Sequence, residues 1–170
     1  MPPLSRRALL CHALLAPTLA AAALLAGCAT PEPPRGLTPA QVAALQSQGF
    51  ERTDNGWELG LPDKVLFSFD EDVITPERQL AVVRIGRVLR DAGIDRLRID
   101  GHTDNAGSAE YNQQLSVRRA EAVARVMGAC GFVREHLEVR GLGKTRPIAD
   151  NGTAAGRAEN RRVAIIVTVD

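Results

Sequence analysis

Between Ser108 and Gly131 the sequence carries a helical apolar stripe that a soluble chain must cover with another layer, and two polar residues stand inside that stripe. At about 100° per residue, with Leu115 at zero, Ala122, Val123, Val126, Met127 and Cys130 share one arc, and Arg119 and Asn112 fall in its middle. Arg118 and Arg125 lie toward the edge, where solvated charges belong. A guanidinium aimed at a core costs on the order of several kcal/mol unless an anion and hydrogen bonds meet it. The strongest candidate anion is Asp104, in the Gly101-His-Thr-Asp-Asn-Ala-Gly107 turn that leads into the same helix. Loops at the ends of strands in open α/β sheets are common ligand sites, so the pattern leaves open both a structural Asp104–Arg119 ion pair and a shared ligand site.

The elements around this helix define the layer that covers it. Thr38 followed by Pro39 reads as an N-cap with proline in the first turn, and Gly49 as the C-cap of a short helix over 39–48, too short to be stable without docking. Phe50–Thr53 and Trp57–Leu61 flank Asp54-Asn55-Gly56, a hairpin turn. Lys64–Phe69 reads as a strand, Thr75 to about Ala92 as a helix stopped by Gly93, and Leu97–Thr103 as the second core strand. Leu137–Arg140 and Arg162–Val169 supply two more strands, with no strong helix between Gly141 and Asn160. The reading is α/β: a two-layer sandwich in the order βαβα-β-β, with a mixed sheet and helices packed on it, over residues 64–170.

The N-terminal segment has a different physics. Arg6 and Arg7 precede an almost uninterrupted Ala/Leu run from Ala8 to Ala26, no acidic residue appears before Glu32, and the run ends in Leu25-Ala26-Gly27-Cys28. That order resembles the signal and lipobox of bacterial lipoproteins, which implies a signal peptide over 1–27, lipidation at Cys28 and an outer-membrane anchor, since Ala29 rather than Asp follows the cysteine. Residues 28–36, with three prolines, form an extended linker reaching on the order of 25 Å at about 3.1 Å per residue. Cleavage removes two arginines and no acid, turning the net charge from +1 to −1. Neither value has the basic footprint of a nucleic-acid binder. With Cys11 cleaved and Cys28 lipidated, Cys130 is the one remaining thiol, and its place on the apolar stripe marks it as a small core residue.

Four motifs in order, Gly101–Gly107, Asn112–Ala120, Gly141-Leu-Gly143 with Pro147, and Gly156–Val163, resemble the peptidoglycan-binding domain of the OmpA family over about Val65 to Val169. The resemblance implies a non-covalent grip on meso-diaminopimelate of the peptidoglycan stem peptide. Carried onto this sequence, it makes Asp104 the ligand carboxylate and Arg119 the ligand arginine, with Asn112 and Arg161 in the same pocket and the backbone of Asn105 and Ala106 facing the ligand. Asp70 stands where many family members carry a polar residue. The chemistry fits a zwitterion, whose ammonium a carboxylate takes while a guanidinium clamps its carboxylate through two hydrogen bonds.

A further resemblance runs outside the domain, through Leu37–Phe50, Gly56–Glu58, Lys64–Phe67, Ile148–Asn151 and Arg161–Val167, to outer-membrane lipoproteins that sequester a YfiR-like periplasmic repressor and thereby release a diguanylate cyclase. Apart from the resemblance, the helix cap, the hairpin turn and the only Trp mark residues 37–63 as a segment meant to fold and dock, and its release, with residues 29–63 extending on the order of 100 Å at about 3.3 Å each, is a hypothetical switch. A plain tether between outer membrane and wall is the alternative, and a homodimer is left open. No cofactor, metal or catalysis is expected. His102, Asp104 and Ser116 lack a nucleophile-elbow setting, His102 and Asp104 lack further ligands, and Gly143-Lys144-Thr145 has Glu138 where a phosphate loop needs glycine.

Overall fold

The computed structural model describes residues 36–67 and 71–168. Cys28 with the signal segment, most of the linker, and Asp70 lie outside the described residues. Helix α1 (Pro39–Ser47) starts at a reciprocal cap: Gln41 N–H donates to Thr38 Oγ1 at 3.2 Å and Thr38 N–H donates to Gln41 Oε1 at 2.9 Å. It docks through fully buried Leu45, and Phe50, just beyond its end, joins the same core. Strands β1 (Glu51–Thr53) and β2 (Gly56–Pro62) form the expected hairpin.

The strand read at Lys64–Phe69 is not one over its described residues, 64–67. Asp63–Leu66 is a single helical turn, α2, and Phe67 follows in an extended conformation. Leu66 and Phe67 both enter the same hydrophobic core, which neighbours on a strand, pointing to opposite faces, would not do, whereas a turn followed by one extended residue does. The strand that the sandwich needs before its first long helix is β2. It pairs antiparallel with β5 (Arg162–Val167) over six residue pairs, from Trp57 opposite Val167 to Pro62 opposite Arg162.

Helix α3 (Pro76–Asp91) buries Val82, Ile85, Gly86 and Leu89, while Leu80 is left exposed. Strand β3 (Leu97–His102) lies antiparallel to β5 on its other side, and β4 (Leu137–Gly141) runs parallel to β3, joined to it through helix α4 (Ala109–Ala129). The sheet is therefore mixed, in the order β1-β2-β5-β3-β4. One short helix, α5 (Ala154–Asn160), occupies a stretch where the sequence showed no strong helical pattern; Thr153 caps it by accepting from Gly156 N–H at 3.0 Å.

The helices cover one face of the sheet. Leu61, Ile99, Val163, Ile165 and Val167 point into the core they share with Val82, Leu89, Val123 and Met127. Helix α4 sits unusually close to β3. A Cβ on Gly101 would lie 2.0 Å from the Ser116 carbonyl oxygen, and one on Gly141 would lie 2.4 Å from Val117, so both strands need glycine there. Cys130 is half-buried at the end of α4, its thiol against Val83 O at 3.8 Å, and burial pushes its pKa up. The opposite face of the sheet carries Arg98, Asp100, His102 and Arg162. Arg98 Nε, Asp100 Oδ1, His102 Nδ1 and Arg162 Nη1 are buried there without a hydrogen-bond partner among the described residues. Burial, reinforced by Arg162 and Arg146, pushes the His102 pKa down to about 3.

Because β2 is an interior strand, releasing residues 29–63 as one piece would strip β5 of a six-pair ladder. Such a release would break the sheet, so an extending segment is confined to what precedes the hairpin.

Candidate ligand-binding cleft

Sheet register assembles the cleft. Pro62, Arg162 and His102 lie side by side at one end of β2, β5 and β3, so the residues just past that row, Asp63, Arg161, Thr103 and Asp104, crowd the same edge. A backbone bond closes the edge, Asp63 N–H donating to Arg161 O at 2.8 Å. The tight contact at Gly101 fixes α4 over this edge, which brings Asn112 and Arg119, one turn either side of Leu115 and Ser116, to the end of β3. The result is a cleft of about 530 Å³, lined by Asp63, Lys64, Arg78, Asp104, Arg119 and Arg161 with Phe67, Tyr111 and Leu115 as apolar wall.

Within it, Asp104 and Arg119 do not pair with each other. Asp104 Oδ2 accepts from Arg161 Nη1 at 2.7 Å and Oδ1 from Ala106 N–H at 3.0 Å. Arg119, buried at 4% exposure, donates from Nε to Glu71 O at 3.2 Å, places Nη2 3.2 Å from Asp63 Oδ1, and stacks its guanidinium 5.1 Å over the Phe67 ring. The anion the apolar stripe demanded is thus Asp63, in place of the Asp104 that the sequence favoured. Asp63 also faces Arg161 Nε at 3.6 Å. Its Oδ1 has no aligned hydrogen bond among the described residues, and burial raises its pKa more than Arg119 and Arg161 lower it.

The structure brings Asp104, Asn112, Arg119, Arg161 and Ala106 together on one cleft. Asn112 is buried and donates from Nδ2 to Ala106 O at 2.6 Å, pinning the turn that presents Asp104. Asn105 lies outside the lining; its N–H donates to Asn151 Oδ1 at 3.3 Å. Sequence reasoning missed Asp63 and Arg78. Asp63 follows the hairpin strand, one residue before the domain start read from the sequence, and only the β2–β5 register reveals its place. Ser116 is fully buried, donating to Gln113 O at 2.8 Å and accepting from Gly143 N–H at 3.0 Å, so it serves the fold. The described residues hold no cluster of three His, Cys, Asp or Glu side chains able to ligate a metal, and no helix among them is long and apolar enough to cross a membrane.

Chemically, the arrangement is a pair of carboxylates and several guanidinium groups held at the rim of an apolar pocket. Each oxygen of Asp104 keeps a second lone pair, and the Nη1–Nη2 edge of Arg119 keeps N–H groups to spare, so an ammonium and a carboxylate can both be received.

The OmpA family model matches residues 66–161. The outer-membrane lipoprotein YfiB of Pseudomonas aeruginosa is 51% identical over 146 residues, covering 86% of this chain and 87% of that protein. Among solved structures, the cell wall anchor of the type VI secretion system of Pseudomonas aeruginosa superposes with a TM-score of 0.65 at 28% identity, covering 80% of this chain and 99% of that one. The peptidoglycan-associated lipoprotein of Burkholderia pseudomallei superposes with a TM-score of 0.53 at 32% identity, covering 59% of this chain and 86% of that one.

Proposed function

Since the chain belongs to the OmpA family, we propose that it is an outer-membrane lipoprotein, anchored through Cys28, that grips the meso-diaminopimelate stem peptide of peptidoglycan without covalent chemistry. The observation that carries this reading is the convergence of Asp104 and a buried, only partly used Arg119 on one apolar-walled cleft. Asp104 takes the ammonium of the diaminopimelate zwitterion and Arg119 clamps its carboxylate; Arg161 and Asn112 hold Asp104 and the Asn105–Ala106 turn in place.

The protein also sequesters a YfiR-like periplasmic repressor and so activates a diguanylate cyclase. Identity of 51% to YfiB over most of the chain, including α1 and the hairpin before the family match, supports this role over that of a plain tether.

Retention on purified peptidoglycan tests the grip. Arg119→Ala and Asp104→Asn are expected to lower it by roughly 30-fold or more, the loss of about 2 kcal/mol or more that follows from removing one partner of a charge-assisted contact. Asp104→Asn is isosteric and keeps the turn, and a thermal melt checks that each variant folds. Wild-type retention by both folded variants refutes the site. Co-purification with a YfiR-like protein, with cyclic di-GMP as readout, tests the signalling role; normal retention without either effect leaves the tether.

A further inference from the structure

The charges lining the cleft do not balance for a zwitterion. Lys64, Arg78, Arg119 and Arg161 face Asp63 and Asp104. Asp104 is answered by Arg161, and Asp63 lies between Arg119 and Arg161, which leaves Arg78 and Lys64 without an ion-pair partner among the described residues. A zwitterionic amino-acid end brings no net charge to answer them.

Arg78 is the more constrained of the two. It is the third residue of α3, held where the helix begins beside the cleft, whereas Lys64 is exposed. Its Nη1 is buried and has no hydrogen-bond partner among the described residues. It lies near enough to Asp63 to act on that carboxyl through space, yet no ion pair joins the two. Burying a guanidinium N–H unpaired is costly, and the cost is recovered when a bound acceptor reaches it. Planar, forked donors suit a carboxylate oxygen better than a neutral carbonyl.

Resting on the stem-peptide reading above, we propose that Arg78 receives a second carboxylate of the ligand, separate from the one on Arg119, and makes the cleft selective for peptides that carry a free carboxylate besides the zwitterion. Two positions of a stem peptide offer that group: the α-carboxylate of its D-glutamate and its C-terminus.

The test is calorimetric titration of the chain carrying Cys28→Ser, which keeps it unlipidated, with the tetrapeptide L-Ala-γ-D-Glu-meso-diaminopimelate-D-Ala and two analogues, one amidated on D-glutamate and one at the C-terminus. The protein with Arg78 intact should bind one analogue about 10-fold more weakly than the free peptide, and the weaker analogue identifies the carboxylate. Arg78→Gln should bind the free peptide about 10-fold more weakly and lose the discrimination, and Arg78→Lys should recover part of both. Equal binding of all three peptides with Arg78 intact overturns the proposal, as does discrimination that survives in folded Arg78→Gln. If no peptide binds even with Arg78 intact, the stem-peptide reading itself falls, and the proposal with it.

Discussion

The imidazole of His102 should make the fold sensitive to mild acid. On the sheet face away from the helices it is 4% exposed, beside Arg162 and Arg146, and its pKa falls from 6.5 to about 3. Between those values the unfolded chain binds a proton that the folded chain refuses, so stability rises with pH across the window and is lost as pH falls below about 6.5. From pH 7 to pH 5, proton uptake by the unfolded imidazole alone removes about 2 kcal/mol. Asp63 and Asp100 work the other way: burial raises their pKa values, so the folded chain takes up their protons first and gains stability as pH falls toward those raised values. Comparing wild type with His102→Gln, which does not titrate, cancels that shared background. Urea unfolding at both pH values should show wild type losing about 2 kcal/mol more than the variant, a midpoint difference of about 1 M at an m-value of about 2 kcal/mol per M. A gap between the two proteins that stays constant within about 0.5 kcal/mol from pH 7 to 5 would refute the reasoning.

Two further outcomes follow from packing. Gly101→Ala sets a methyl 2.0 Å from the Ser116 carbonyl oxygen, which must lift α4 from β3; urea unfolding should show a loss of about 3 kcal/mol or more. Asn160→Ala removes a fully buried amide that accepts from Ile148 N–H and Ala149 N–H and donates to Ala149 O and Asn151 Oδ1, and thermal unfolding should register a cost of about 3 kcal/mol.

The parts of this molecule that can be read in its sequence are those set by local periodicity. The Thr38 cap, the Asp54-Asn55-Gly56 hairpin, α3, α4 and the strands at 97, 137 and 162 all follow from capping residues and apolar spacing. Lys64–Phe67 misled because a short apolar run is compatible with a strand or a turn, and the choice is made by the core that both Leu66 and Phe67 must enter. In the cleft, Arg119 could be found because it violates the stripe of its own helix. Asp63, its partner, violates nothing locally. It reaches Arg119 only through the pairing of β2 with β5, a contact spanning most of the chain, and spacing along the sequence carries no trace of it.

The bond from Asp63 N–H to Arg161 O continues that pairing and joins two residues that line the cleft. A slip of β2 by a single residue would present Pro62 or Lys64 there, deleting the carboxylate that answers Arg119 or replacing it with a like charge. Ligand affinity is therefore a report on strand register. A chain that has collapsed with its hairpin misaligned, or not yet zipped onto β5, has no working cleft, and any ligand of the cleft would draw the folding equilibrium toward the one register that can hold it.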